Sequence, residues 1–153
     1  MVRLADIPPD LARALANTPL PEFESLPWAA APPLAQARVA IVSTAGLHRR
    51  EDENFHGGAT DYRLIPADVD LADLVMSHVS TNFDRSGFQQ DVSLVFPLAH
   101  LRDLEAAGEI GSVAKWHYAF MGATDPARLK ESGAEVGRLL REDGVTAALL
   151  VPV

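Results

Sequence analysis

Residues 125–153 read "DPARLKESGAEVGRLLREDGVTAALLVPV". Asp125 suits a helix N-cap and Pro126 the first helical position. Leu129, Val136, Leu139 and Leu140 fall on one face at helical spacing, and Gly144 ends the helix. A strand-like run, "VTAALLVPV", follows at once. Helix, glycine and then buried strand is the second half of a βαβ unit. Apolar residues continue to Val153. The expectation is therefore an incomplete sheet, with the chain cut short at its C-terminus. It carries with it an exposed apolar edge near residues 146–153 and a tendency to self-associate.

Upstream segments extend this reading. In "ARVAIVSTAGLH" (37–48), Val39, Ile41 and Val42 form a short β-rich run that meets a small-residue turn, as a buried parallel strand does. "DYRLIP" (61–66) is a second strand candidate and "QDVSLVFPL" (90–98) a third extended segment. "DLADLVMSHV" (70–79) reads as a helical turn or two capped by Asp70. "PLAHLRDLEAAGEIG" (97–111) is a helix with Pro97 in its first turn, a Leu98, Leu101, Leu104 stripe, and Gly108 past its end. The fold class is α/β: an open, mostly parallel, three-layer (Rossmann-like) sheet. It occupies residues 37–153 and follows a proline-rich arm, 1–36. Seven of the eleven prolines precede residue 34, so the arm cannot sustain a long helix. "DLARALAN" allows about two turns there with Asp10 as N-cap, and Phe23 and Trp28 are the arm's apolar anchors.

Composition narrows the function. The net charge is −8 and no Lys/Arg cluster occurs, because "HRR" at 48–50 is followed by "EDE". Binding to nucleic acid or an anionic membrane is not expected. No stretch approaches the ~20 apolar residues of a membrane span, and the N-terminus lacks the apolar core of a signal peptide. The expectation is a cytoplasmic chain. There is no cysteine, which rules out disulfides, thiolate metal sites and a thiol nucleophile within these residues.

The most polar segment is "MSHVSTNFDRSGFQQD" (76–91), with His78, Asp84 and Arg85 among its donors and acceptors. Such a loop can hold a carboxylate or amine substrate; it can equally satisfy its own backbone through Asx and Ser/Thr turns. The "STAGLH" turn offers backbone N–H groups with Ser43, Thr44 and His48, and can cradle an anion. It is not a glycine-rich phosphate loop, and Ser43 lacks a nucleophile-elbow pattern. His48, His56 and His78 with Asp52, Asp61 or Asp84 have metal-ligand chemistry but no tight ligand spacing, and loop hydrogen bonding is their commoner use. His117 sits in "KWHYAFMGA" among aromatic residues, where it or Tyr118 can reach a cleft while the rest packs.

Read in order, "VSTAGLH", "DYRLIP", the long stretch from "DLVMSHVSTNF" to "DVSLVFPL…GEIG…HYAFMG", and "DGVTAALLVPV" resemble one family. It is the selenoprotein B subunit of the glycine/sarcosine/betaine/D-proline reductases, and the similarity leans to the D-proline-reductase-like members. It runs from about residue 37 to the end. The resemblance implies that the strand ending "ALLVPV" runs into a selenocysteine, or a cysteine in some members. It implies a partner subunit whose pyruvoyl group holds the amine substrate as an imine, reductive cleavage of the C–N bond, and thiols that resolve the product. No cofactor is expected in this chain itself. The pocket wall is then assigned to Ser43, Thr44, His48, Asp84, Arg85 and Tyr118 for substrate binding, with His78 and His117 as proton-handling groups. Arg85 pairs with a substrate carboxylate. Partners are the pyruvoyl subunit, a thiol reductant and a small amino acid, and a homo-oligomer is compatible with the exposed edge. Two other readings stay open: a non-catalytic relative that binds an amino acid or partner subunit, and a small hydrolase using Ser43 and His48.

Overall fold

The computed structural model describes residues 3–17, 22, 29–80 and 85–153. Phe23, Trp28 and Asp84 lie outside the described residues. In chain order the elements are helix Pro9–Ala16 (α1); strands Arg38–Ser43 (β1), Leu47–Arg49 (β2), Tyr62–Pro66 (β3) and Leu74–Met76 (β4); helices Ser86–Gln90 (α2) and Leu98–Ala106 (α3); strands Ser112–Val113 (β5) and Trp116–Phe120 (β6); helix Lys130–Glu142 (α4); and strand Ala147–Val151 (β7).

β1 is the spine of the sheet. β7 runs parallel to it along one edge, from Val39 opposite Ala147 to Ser43 opposite Val151. β5 and then β6 run parallel along the other edge, and β3 closes that side antiparallel to β6. The result is an α/β sheet, open and mostly parallel, as the helix–glycine–strand pattern requires.

Residues directly opposite one another share a face. Val42, Tyr118 and Tyr62 look towards α4, whose Val136, Leu139 and Leu140 pack on them. Val39, Ile41, Ile65 and Ala119 look the other way, onto Leu98 and Leu101 of α3 and onto Val95 and Phe96. Each such Val, Leu, Ile or Phe side chain, once buried, stabilises the fold by ~1.5–3 kcal/mol. Helices on opposite faces of one sheet give the three layers.

Both helices end as their sequences predict. Asp125 accepts from the Ala127 N–H and Pro126 takes the first position of a 3-10 turn that leads into α4. Gly108 and Gly144 have φ near +70° just past α3 and α4, a region that only glycine enters readily. Pro97 stands at the N-cap of α3 rather than inside its first turn.

Three expectations are corrected. The segment 90–98 is not a strand: Asp91 accepts from the Ser93 N–H and starts a 3-10 turn, and Val95 and Phe96 pack beneath the sheet instead of joining it. The third sheet position is taken by 112–120. In 70–79 the Asp70-capped turn forms, but Leu74–Met76 continue as β4, paired antiparallel with β2. In α1 the N-cap is Pro8, not Asp10.

β5 and β6 are one strand broken by a bulge. Val39 faces Val113 but Val42 faces Tyr118, so the outer strand spends two extra residues on the same length. The bulge strands backbone polar groups, and side chains take them up. Asp143 accepts from the N–H groups of Lys115 (2.7 Å) and Trp116 (3.2 Å) and pairs with Arg38 at 2.6 Å. On β1, the Ile41 N–H donates to Nδ1 of His117 at 3.0 Å.

β7 has no partner on its outer edge among the described residues. Leu149 is 40% exposed and Leu150 70%. No helix among the described residues is long and apolar enough to cross a membrane.

Candidate functional site

In open parallel sheets, ligands gather at the carboxyl ends of the strands. Here the ends of β1, β6 and β7 are laced together. After β1 the chain turns because the buried Ser43 hydroxyl accepts from the Ala45 N–H at 3.2 Å. Ala45 bridges Met121, and the Gly46 N–H donates to the Phe120 carbonyl at 2.9 Å. The Thr44 hydroxyl accepts from the Val153 N–H at 2.8 Å and donates to the Val153 carbonyl at 3.3 Å. The Gly122 N–H donates to the Thr44 carbonyl at 2.9 Å.

Two glycines allow this close approach. A Cβ on Gly122 would lie 2.5 Å from the Val153 oxygen and 2.8 Å from the Thr44 oxygen. Gly46 has φ +64° and lies under His78, whose Cα and N are 3.0 Å from where its Cβ would be. The Ser77 N–H donates to the Gly46 carbonyl at 3.0 Å. This brings the backbone of the polar loop to the strand ends.

His78 is buried, and its Nδ1 accepts from the Ser80 N–H at 3.2 Å. That bond puts the proton of the neutral ring on Nε2. Burial, and then the nearby Arg85 charge, lower its pKa from the ordinary histidine value, so the ring is neutral at pH 7.

The other predicted residues are dispersed. Successive strand residues point to opposite faces, so His117 and Tyr118 cannot line one pocket together. His117 is fully buried beside Phe96, ring edge to face at 5.5 Å, on the α3 side. Burial above all pushes its pKa down to about 4; it is a neutral acceptor that completes the strand ladder. Tyr118 packs against Tyr62 on the α4 side, and burial pushes its hydroxyl up to about 12. His48 is buried on β2, in the two-stranded β2–β4 ladder, beside Phe55, with Nδ1 2.7 Å from the Arg49 carbonyl. Arg85 donates to the Ser80 carbonyl and lines a cavity on the face of the β2–β4 ladder opposite His48.

Of the eight predicted residues, Ser43 and Thr44 lie at the end of β1, and the backbone of His78 is held over Gly46 of the same turn. The buried Ser43 oxygen is engaged with its own turn, which removes the support for a serine hydrolase. Among the described residues, no three His, Asp or Glu side chains gather closely enough to hold a metal ion. Sequence reasoning passed over Gly46 and Gly122, although one closes the "STAG" turn after β1 and the other stands just past β6 in "AFMG", and those positions were their signal. It also passed over Asp143.

The chain is 33% identical over 120 residues to the D-proline reductase subunit gamma of Acetoanaerobium sticklandii; the match covers 76% of this chain and 49% of that protein. It is 31% identical over 140 residues to the sarcosine reductase complex component B subunit beta of Peptoclostridium acidaminophilum, covering 86% of this chain and 32% of the relative. It is 27% identical over 138 residues to the glycine reductase complex component B subunit gamma of Carboxydothermus hydrogenoformans, with the same coverage of 86% and 32%. The chain thus spans half or less of the length of these relatives. No solved structure matches it. The family model described as glycine/sarcosine/betaine reductase selenoprotein B matches residues 14–153, and with nearly the whole chain covered, this protein belongs to that family.

Proposed function

We propose that this chain forms the amino-terminal wall of a reductase subunit that cleaves the C–N bond of a small amino acid: glycine, sarcosine, betaine or D-proline. The observation that carries the reading is the pinning of Val153 between Thr44 and Gly122 at the carboxyl end of the sheet. A selenocysteine or cysteine carried just beyond this strand fits the place. It would emerge beside His78 and the "STAG" turn, and no thiol within the 153 residues competes with it.

When present, a selenolate or thiolate supplies the nucleophile. Overall, the C–N bond breaks, carbon gains hydrogen, and two electrons come from a dithiol that leaves as disulfide. The chain's own residues do the rest. Thr44 fixes the strand end. The Gly46 turn holds the backbone of the His78 loop against it. Neutral because its pKa is lowered, His78 donates a hydrogen bond from Nε2–H towards the substrate without giving up the proton, and the proton that the departing nitrogen takes comes from solvent. A partner subunit with a pyruvoyl group, and a thiol reductant, complete the assembly in this reading, and the location is cytoplasmic.

The test begins with the genomic sequence after codon 153. An in-frame continuation carrying a selenocysteine or cysteine codon is expected; unrelated sequence overturns the proposal. The extended subunit, mixed with its pyruvoyl partner and a dithiol, should cleave the C–N bond, releasing the amine of an open-chain substrate or opening the ring of D-proline. Thr44→Val and His78→Gln should each slow this by at least tenfold, about 1.4 kcal/mol in the barrier. A second reading, a non-catalytic relative that binds an amino acid or a partner subunit, draws on the lack of any cysteine, and the same genomic result separates the two.

A further inference from the structure

Residues 54–60, "NFHGGAT", lie between β2 and β3 and carry His56. Both ends of this loop are tied to the carboxyl end of the sheet. On one side the Phe55 N–H donates to the Ser77 hydroxyl at 2.8 Å, and the Ser77 N–H in turn holds the Gly46 carbonyl of the turn after β1. On the other side the Ala59 carbonyl accepts from the buried Thr124 hydroxyl at 2.9 Å, two residues past Gly122. Phe55 and Ala59 are buried together with Met121, which bridges Ala45. Between the two anchors the Ala59 N–H donates to the His56 carbonyl at 3.1 Å and closes a tight turn. His56 is thereby held between the Ser77–His78 backbone and the Gly122–Thr124 segment.

Its surroundings differ from those of the other histidines of the sheet. His48, His78 and His117 are buried and exchange no protons with bulk water while the fold is closed. His56 is exposed. Its Nδ1 lies 3.3 Å from the Gly57 carbonyl. A carbonyl only accepts, so Nδ1 keeps its proton and Nε2 is the nitrogen that gives and regains one. The space beside the ring is open: among the described residues, a Cβ on Gly57 would meet nothing within 4 Å.

We propose that His56 is the acid that hands the solvent proton to the departing nitrogen. The inference rests on the reductase reading and deepens it. As the C–N bond breaks, the nitrogen keeps the electron pair of that bond and takes the Nε2 proton of protonated His56. The two electrons that carbon gains are those of the dithiol. The ring, left neutral with its Nδ1 proton on the Gly57 carbonyl, is reprotonated by water.

Two measurements test this. The first locates the ring in the 153-residue protein. Val153→Cys supplies a single thiol for a nitroxide label, and the bonds of residue 153 to Thr44 run through its backbone. The His56 ring protons should lose most of their NMR intensity, while the Gly144 amide, before the far end of β7, keeps its own. An unbroadened His56 ring overturns the proposal. The second uses the extended subunit with its pyruvoyl partner and a dithiol. His56→Gln should lower kcat by about a hundredfold with KM nearly unchanged, and added imidazole should restore turnover to His56→Ala. His100→Gln, at an exposed histidine of α3, should change neither constant. Full activity of His56→Gln, or a loss that imidazole does not rescue, overturns the proposal and leaves the reductase reading standing. A wild-type extended subunit that cleaves no C–N bond overturns that reading, and this role with it.

Discussion

A single methyl group at position 122 would sit 2.5 Å from the Val153 carbonyl oxygen. Both that oxygen and the Thr44 oxygen belong to backbone, so relief requires parting β7's end from β1's. Gly122→Ala should therefore destabilise the fold by about 1–3 kcal/mol, measured by urea unfolding. Thr44→Val removes one hydroxyl and two hydrogen bonds, and should cost about 1–2 kcal/mol. The two variants act on one contact, so their combined cost should fall below the sum; strict additivity would show that they do not share it. His117 makes a different prediction at this scale. Its pKa is about 4 in the folded protein and ~6.5 unfolded. The folded value is depressed, so the stability it contributes is fully present above pH 6.5 and is lost as pH falls towards 4. The loss is about 3 kcal/mol, and His78, shifted the same way, adds to it. Urea midpoints taken between pH 7.5 and 4 should fall accordingly. His117→Gln, whose side-chain oxygen can still accept from Ile41, should flatten most of that slope; an unchanged slope would reject the buried neutral histidine as its origin.

At the scale of elements, the bulge between β5 and β6 rests on Asp143. Burial alone would raise this carboxyl's pKa, but the Arg38 hydrogen bond and charge with the Trp116 and Lys115 N–H groups outweigh it and hold it below the ordinary carboxylate range. Stability from this group is present above its unfolded pKa of ~3.9 and is lost only as pH falls below it, a window separate from that of the histidines. Asp143→Ala leaves two backbone donors and the Arg38 charge without their partner. It should cost about 2–4 kcal/mol and speed hydrogen exchange at Lys115 and Trp116; unchanged exchange there would show that the carboxylate does not support the bulge. The same bulge explains what could be read in advance. α3 and α4 were legible because caps, proline, periodic leucines and terminal glycines all agree locally. The strand at 112–120 was not, because the bulge splits it into pieces of two and five residues, too short to stand out as one strand. Residues 90–98 were misread because apolar, β-prone side chains serve equally well beneath a sheet as within it, and only Asp91's cap separates the two.

For the whole molecule, the outer edge of β7 governs behaviour. Ala147–Val151 carry no charge, and Leu150 is 70% exposed at an edge with a single strand neighbour. Natural edges are blunted by lysine, proline or bulges, and this strand has none within its span. The 153-residue chain should self-associate with rising concentration in sedimentation velocity, and Leu150→Lys should return it to monomer. A monodisperse wild-type monomer at millimolar concentration would count against this. Antiparallel pairing of two such edges about Leu149 sets Ala147 against Val151 and Ala148 against Leu150, with no like charges opposed.

The α/β class, the two long helices with their ends, the spine strand and the family resemblance were all determined by the sequence, because each rests on local periodicity, capping or an ordered run of motifs. Where the chemistry-bearing side chains meet was decided only by tertiary structure. Strand alternation sends His117 and Tyr118 to opposite faces, β2 carries His48 and the start of α2 carries Arg85 away from the strand ends, Gly46 lets the His78 backbone approach the turn after β1, and Gly122 lets Val153 approach Thr44. Such meetings depend on register and on the close approach of distant backbones, neither of which is expressed in neighbouring residues.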